Sequence, residues 1–135
     1  MKETWRYAIN PRTWKVSDTI MVSSSGKVAK RVFQDGSWHM TVIEPSVAMG
    51  YFQIGTPDTE EDKGGVFVHR LIFFTFHPEY LRQASDRTFV VDHIDGDKTN
   101  NSINNLRLVK QAFNSTRGKK SDFDVTTEPH LRRIF

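Results

Sequence analysis

The stretch VVDHIDGDKTNNSINNLRLV, residues 90–109, decides how the chain is read. Three aspartates, one histidine and four asparagines stand between two apolar ends. Three readings compete: a calcium loop, a polar hairpin turn, or a catalytic site. The calcium reading fails on position. With Gly96 as the sixth residue of an EF-hand loop, the first, third and twelfth would be Val91, His93 and Ser102, and none is the oxygen ligand required there. The turn reading explains much. Asp95-Gly96 and Asn100-Asn101 are strong turn formers, because Asn and Asp tolerate left-handed backbone and bond their own main chain. It leaves Asp92-His93 unexplained, in a strand-like run that should stay apolar. A satisfied buried pair and a chemically active pair both remain open on these residues alone.

Outward from this stretch the charge is uneven. The 135 residues carry a net charge of +3, with pI ≈ 9.3. Between Lys98 and Lys120 stand Lys98, Arg107, Lys110, Arg117, Lys119 and Lys120, with no acid among them. A basic block beside a carboxylate cluster suits a polyanion and a metal held together, and equally a solvated face. Cysteine is absent, which excludes disulfides and cysteine-ligated zinc. No apolar run approaches a membrane span, and MKETWRYAINPRTW lacks the apolar core of a secretory signal. The expectation is a soluble, cytoplasmic protein. Hydrophobic residues make up 37% and mean hydropathy is −0.53, enough for a thin core in one domain or two small modules.

Residues 1–56 read as a β-rich module, with turns at Ser23–Gly26 and Asp35-Gly36 between β-type runs. TPDTEEDKGG, 56–65, reads as an acidic loop facing away from nucleic acid. VFVHRLIFFTFHPEYL starts strand-like and becomes a short buried helix closed by Pro78. RTFVVDHI and INNLRLV read as strands, KQAFNSTRGKK as a helix stopped by Gly118, and 121–135 as a tail without period.

DHIDGDKTNNSINNLRLVKQAFN resembles the HNH nuclease motif. The spacing that carries it is Asp-His, a Gly-Asp-Lys loop, a double Asn, Asn-Leu-Arg, and an Asn nine residues after that Asn. VHRLIFFTFHP resembles the helix preceding the motif in phage HNH homing endonucleases. WKVSDTIMVSSSGKV is more loosely similar to their DNA-binding modules. The match is strong over 66–118 and weaker over 5–33. The resemblance implies an α+β protein: an N-terminal antiparallel β module (1–56), a ββα-metal nuclease core (66–120), and a C-terminal tail (121–135). It implies a metal-dependent, site-specific endonuclease acting on double-stranded DNA, nicking one strand, as a monomer or homodimer. A non-catalytic DNA-binding protein and a restriction-type enzyme are the alternatives.

The same resemblance implies the roles. One Mg²⁺ (or Mn²⁺) per site would be held by Asp92 and Asn114, oxygen donors suited to a hard cation that keeps most of its waters. His93 would be the general base. Asn105 would hold the loop and orient His93. Arg107, Lys110, Arg117, Lys119 and Lys120 would contact phosphates, and Lys27, Lys30 and Arg31 would enter the major groove from a hairpin. His69 would support the site or a phosphate, or be a core histidine; His39, His77 and His130 have no partner pattern. Adjacent strand residues point to opposite faces, so Asp92 and His93 require the strand to end or bulge there, or must act from different sides.

Overall fold

A computed structural model describes residues 2–55, 64–114 and 119–124; for 112–114 and 119–124 it describes the backbone only. The acidic loop 56–63, Arg117, Gly118, His130 and the tail beyond 124 lie outside the described residues.

The chain begins with a four-stranded antiparallel sheet of β1 (Trp5–Ile9), β2 (Val16–Ser23), β3 (Val28–Gln34) and β4 (Ser37–Val42) in sequential order. Gln34 pairs with Ser37 around the two-residue turn Asp35-Gly36, whose φ values of 54° and 80° are those of a type I′ hairpin. A second sheet follows: β5 (Ser46–Ala48), β6 (Tyr51–Gly55) and β7 (Gly65–Phe67). Its first turn, Met49-Gly50, again takes positive φ at both residues (54° and 84°).

β7 runs directly into α1 (Val68–Phe76). No side chain caps its N-terminus; burial on nearly all sides holds it instead, as expected for a helix apolar around its circumference. Leu71, Ile72, Phe73 and Phe74 are fully buried. Thr75 is satisfied by accepting from the Ile9 amide (2.9 Å), which ties α1 to β1. Pro78 opens a 3-10 helix, Pro78–Ser85. One core joins Ala8, Ile20, Val22 and Val28 of the first sheet, Ile54 and Val66 of the second, α1, and Val91, Leu106 and Leu108 of the third.

The third sheet is β8 (Phe89–His93), β9 (Leu106–Asn114) and β10 (Lys119–Asp124), ordered β10-β9-β8. β8 and β9 are the two strands the motif predicts, with the long loop between them. The helix expected over 110–120 is not what the described residues form: β9 continues to Asn114 and pairs with β10. The physical reason lies at the junction. LRLVKQ offers no Ser, Thr, Asp or Asn to cap a helix after Val109, and Gln111 N–H bonds Thr88 O at 2.6 Å, extending the ladder instead. The architecture is α+β, dominated by antiparallel strands. No helix among the described residues is long and apolar enough to cross a membrane.

Candidate active site

The loop between β8 and β9 is built around two residues. Asn105 accepts from the Asp95 amide through Oδ1 (3.1 Å), and its Nδ2 donates to Asp95 Oδ1 and to Asn100 O, both at 2.9 Å. Asn105 O accepts from Ile94 N–H (2.8 Å), closing the neck of the loop. Asp95 takes further donors from Asn100 Nδ2 and the Asp97 amide, both at 2.8 Å. The Asn100 bond is the largest of the contacts that hold the Asp95 carboxyl below its ordinary value. The crowd of Asn and Asp is thus a self-bonded scaffold, and Asn105 holds it together.

His93, the last residue of β8, is buried at 6% exposure. Its Nε2 meets Asn101 Oδ1 at 2.8 Å. An amide oxygen only accepts, so Nε2 donates this bond. The ring is oriented by Asn101 and not by Asn105, a correction to the motif-based expectation. Four asparagines compete in this loop, and register rather than composition decides which one reaches the imidazole. Asn101 is itself fixed from the N-terminal sheet. The Ser24–Gly26 turn packs against the loop: Ile103 N–H and Ser102 Oγ donate to Ser24 O at 2.9 and 3.3 Å. A Cβ on Gly26 (φ 98°) would lie 2.8 Å from Asn101 C, so glycine is required for this approach.

Asp92 stands on the opposite face of β8 from His93. It is half-exposed and forms a two-atom contact with Arg107, whose Nε and Nη2 lie 3.0 and 2.9 Å from Oδ2. The strand ends at His93 without bringing both side chains to one face.

His69, on the first turn of α1, is at the site. Its ring is 4.9 Å from that of His93 and 4.8 Å from Tyr51, with which it stacks. It is 7% exposed, and its Nδ1 has no hydrogen-bond partner among the described residues. Burial above all, then the neighbouring His93 and Arg70, pushes its pKa down to about 3. His69 is therefore neutral at any physiological pH. The histidine at the start of VHRL was legible as a candidate; Tyr51 and Asn101 carried no signal that sequence reasoning used.

Among the expected DNA contacts, Arg107 is committed to Asp92, and Lys110 Nζ lies 5.8 Å over the Phe89 ring. The side chains of Lys119 and Lys120 are outside the described residues. Lys27, Lys30 and Arg31 do not share one surface. Lys27 lies 3.9 Å from Glu3. Lys30 and Arg31 alternate across β3, Lys30 lining a cleft with Glu44 and Gln53. Arg31 lies on the open face, 3.8 Å over Trp38 and donating to Tyr7 Oη at 3.0 Å. Phe33, Met40 and Val42 share that face by register and are exposed.

Asn114 does not join Asp92 in this arrangement. Asp92 pairs with Arg107, and Asn114 is seven residues further along β9, roughly 23 Å at strand rise. The motif spacing assumed a helix that would fold back; an extended β9 carries the residue away. Among the described residues, no three His, Asp or Glu side chains converge as a metal cage.

Comparison with known proteins matches residues 66–116 to the HNH endonuclease family. Among solved structures, the HNH homing endonuclease I-HmuI, described as binding and cleaving DNA, is similar with a TM-score of 0.50 and 24% identity. The alignment covers 79% of this chain and 52% of that one, so this chain spans about half the length of that relative. No curated protein matches the chain. The matched segment begins at β7, holds α1 with His69, and runs through Asp92, His93 and the Asn105 loop. Over that segment, 66–116, the chain is similar to the HNH endonucleases.

Proposed function

We propose that the chain is a metal-dependent DNA endonuclease that hydrolyses a phosphodiester bond of double-stranded DNA, with His93 as general base. The observation that carries this reading is the setting of His93. It ends β8 inside the HNH-matched segment, buried, with Nε2 anchored to the Asn101 amide oxygen. A neutral imidazole so oriented can take a proton from water attacking phosphorus. Asn105 supports it indirectly by holding the loop that carries Asn101.

The donor chemistry of Asp92 fits a divalent cation. It is a half-exposed carboxylate whose described contacts fall on one oxygen, and a hard ion such as Mg²⁺ or Mn²⁺ takes few protein oxygens and keeps its waters. When bound, such an ion stabilises charge on the leaving 3′-oxygen. Asp92 would hold it, and Arg107 must yield part of its contact. Asn114 as a second ligand requires residues 110–114 to leave the strand register and adopt a helix. The distance of Asn114 in the extended β9 is the one observation that favours the second reading, a DNA-binding protein without catalysis.

DNA would be read by the open face of the N-terminal sheet, where Arg31 lies among Tyr7, Trp38 and Met40. Lys110 and the residues at 117–120 would extend the phosphate footprint. One centre per chain makes a single-strand nick the simplest product of a monomer, and a homodimer would cut both strands. A phage-type, site-specific homing role is the biological setting we favour. His93→Ala tests the reading. Cleavage should be abolished while DNA affinity stays within about threefold. Loss of both together, with a lowered melting temperature, would assign His93 a folding role.

A further inference from the structure

Tyr51 stands at the first position of β6, fifteen residues before the HNH-matched segment begins. Its ring is nevertheless part of the centre. It stacks on His69 (4.8 Å, rings 24° apart) and lies 5.9 Å from His93. It also carries a cation: Lys98 Nζ is 4.7 Å from the ring centroid. Lys98 comes from the β8–β9 loop, between Asp97 and Thr99, yet among the described residues no carboxylate lies within ion-pair distance of it. Gly50 makes room for it. A Cβ there would be 3.3 Å from Lys98 Cδ, and the φ of 84° favours glycine independently. The Met49-Gly50 turn thus shapes both the strand start that presents Tyr51 and the seat of Lys98.

We propose that Tyr51 is a positioning residue of the cleavage site, holding the His93 ring through His69 while presenting the Lys98 ammonium as a phosphate contact. The inference rests on the nuclease reading for its purpose, and on the geometry above for its residues. A cation over a π face, beside the base and with no carboxylate partner among the described residues, is placed to meet a phosphate. A base displaced by about 1 Å loses on the order of 10²-fold in rate.

The test compares wild type with Tyr51→Leu, Tyr51→Phe and Lys98→Met. Nicking kinetics with Mg²⁺, the salt dependence of DNA binding without added metal, and ¹⁵N spectra of the histidine rings are read on each. Tyr51→Leu should lower kcat about 100-fold and change the His93 signals from a single Nε2–H tautomer to a mixture. Lys98→Met should reduce the salt slope of binding by about one, and Tyr51→Leu should reproduce that reduction. Tyr51→Phe keeps the ring and should restore kcat to within about threefold, with the wild-type spectrum and slope. Tyr51→Leu with wild-type kcat and an unchanged His93 spectrum would overturn the positioning role, and an unchanged slope in Lys98→Met would overturn the phosphate contact. If the wild type cleaves no DNA, the nuclease reading falls, and the spectra and salt slopes still decide Tyr51 and Lys98.

Discussion

His69 should make the protein acid-sensitive between pH 7 and pH 5. The imidazole is 7% exposed and its pKa is lowered from 6.5 to about 3, by burial first and then by His93 and Arg70. The folded value is depressed, so the unfolded chain binds a proton at this site more readily than the native one. The stability from neutral His69 is complete above the unfolded value near 6.5 and is lost as pH falls toward 3. Between pH 7 and pH 5 the loss from this one group is about 2 kcal/mol. That is a large part of an ordinary domain's total stability. Asp95, Asp97 and Asp86 also have lowered values, first from side-chain bonds to Asn100, Thr99 and Thr88 respectively. Their contribution is lost only as pH falls below the ordinary carboxylate range, outside this window. The perturbation is His69→Phe, which keeps an aromatic ring of similar size and removes the titration. Urea unfolding at pH 7, 6 and 5 gives ΔG for both proteins. The wild type should lose about 2 kcal/mol more than the variant over this range. Parallel pH dependences would show that His69 does not set the acid sensitivity, whatever the absolute stabilities.

Asn105→Ala removes three side-chain hydrogen bonds from a part-exposed loop and should cost about 2 kcal/mol in urea unfolding, with cleavage falling as the loop loosens. Asn101→Ala removes the partner of His93 Nε2; kcat should fall about 10- to 100-fold with DNA affinity retained, and an unchanged kcat would remove Asn101 from the site. If about six phosphates are neutralised, DNA affinity should fall on the order of 10³-fold between 50 and 200 mM salt, and a flat response in a binding titration would count against the basic block as the footprint.

Much of the fold is readable from residue pattern. α1 is apolar nearly all round and is closed by His77-Pro78, so both its burial and its end were foreseeable. Asp35-Gly36 demanded positive φ at two positions and produced the hairpin it advertised. The strand pair around Asp92-His93 and the bonding of the loop followed from turn chemistry. What was not legible depends on register and on distance along the chain. Lys110 to Asn114 contain fair helix formers, but the uncapped junction after Val109 lets the ladder run on. Asn101 outcompetes Asn105 for His93 because Ser24 and Gly26, some 75 residues earlier, fix the backbone at 101–103. Lys30 and Arg31 do not form one footprint, because strand alternation sends them to opposite faces. Tyr51 lies in a short strand with no motif around it, and its place beside two histidines appears only once the second sheet has packed on α1.

The proposed catalysis depends on Asp92 and His93. Supercoiled plasmid is incubated with wild type, Asp92→Asn and His93→Ala, each with Mg²⁺ and with EDTA. Open-circle product is expected from the wild type with Mg²⁺ only, and none from either variant. Intact plasmid from the wild type with both Mg²⁺ and Mn²⁺, alongside tight binding in a gel shift, would contradict it and leave a DNA-binding protein in its place.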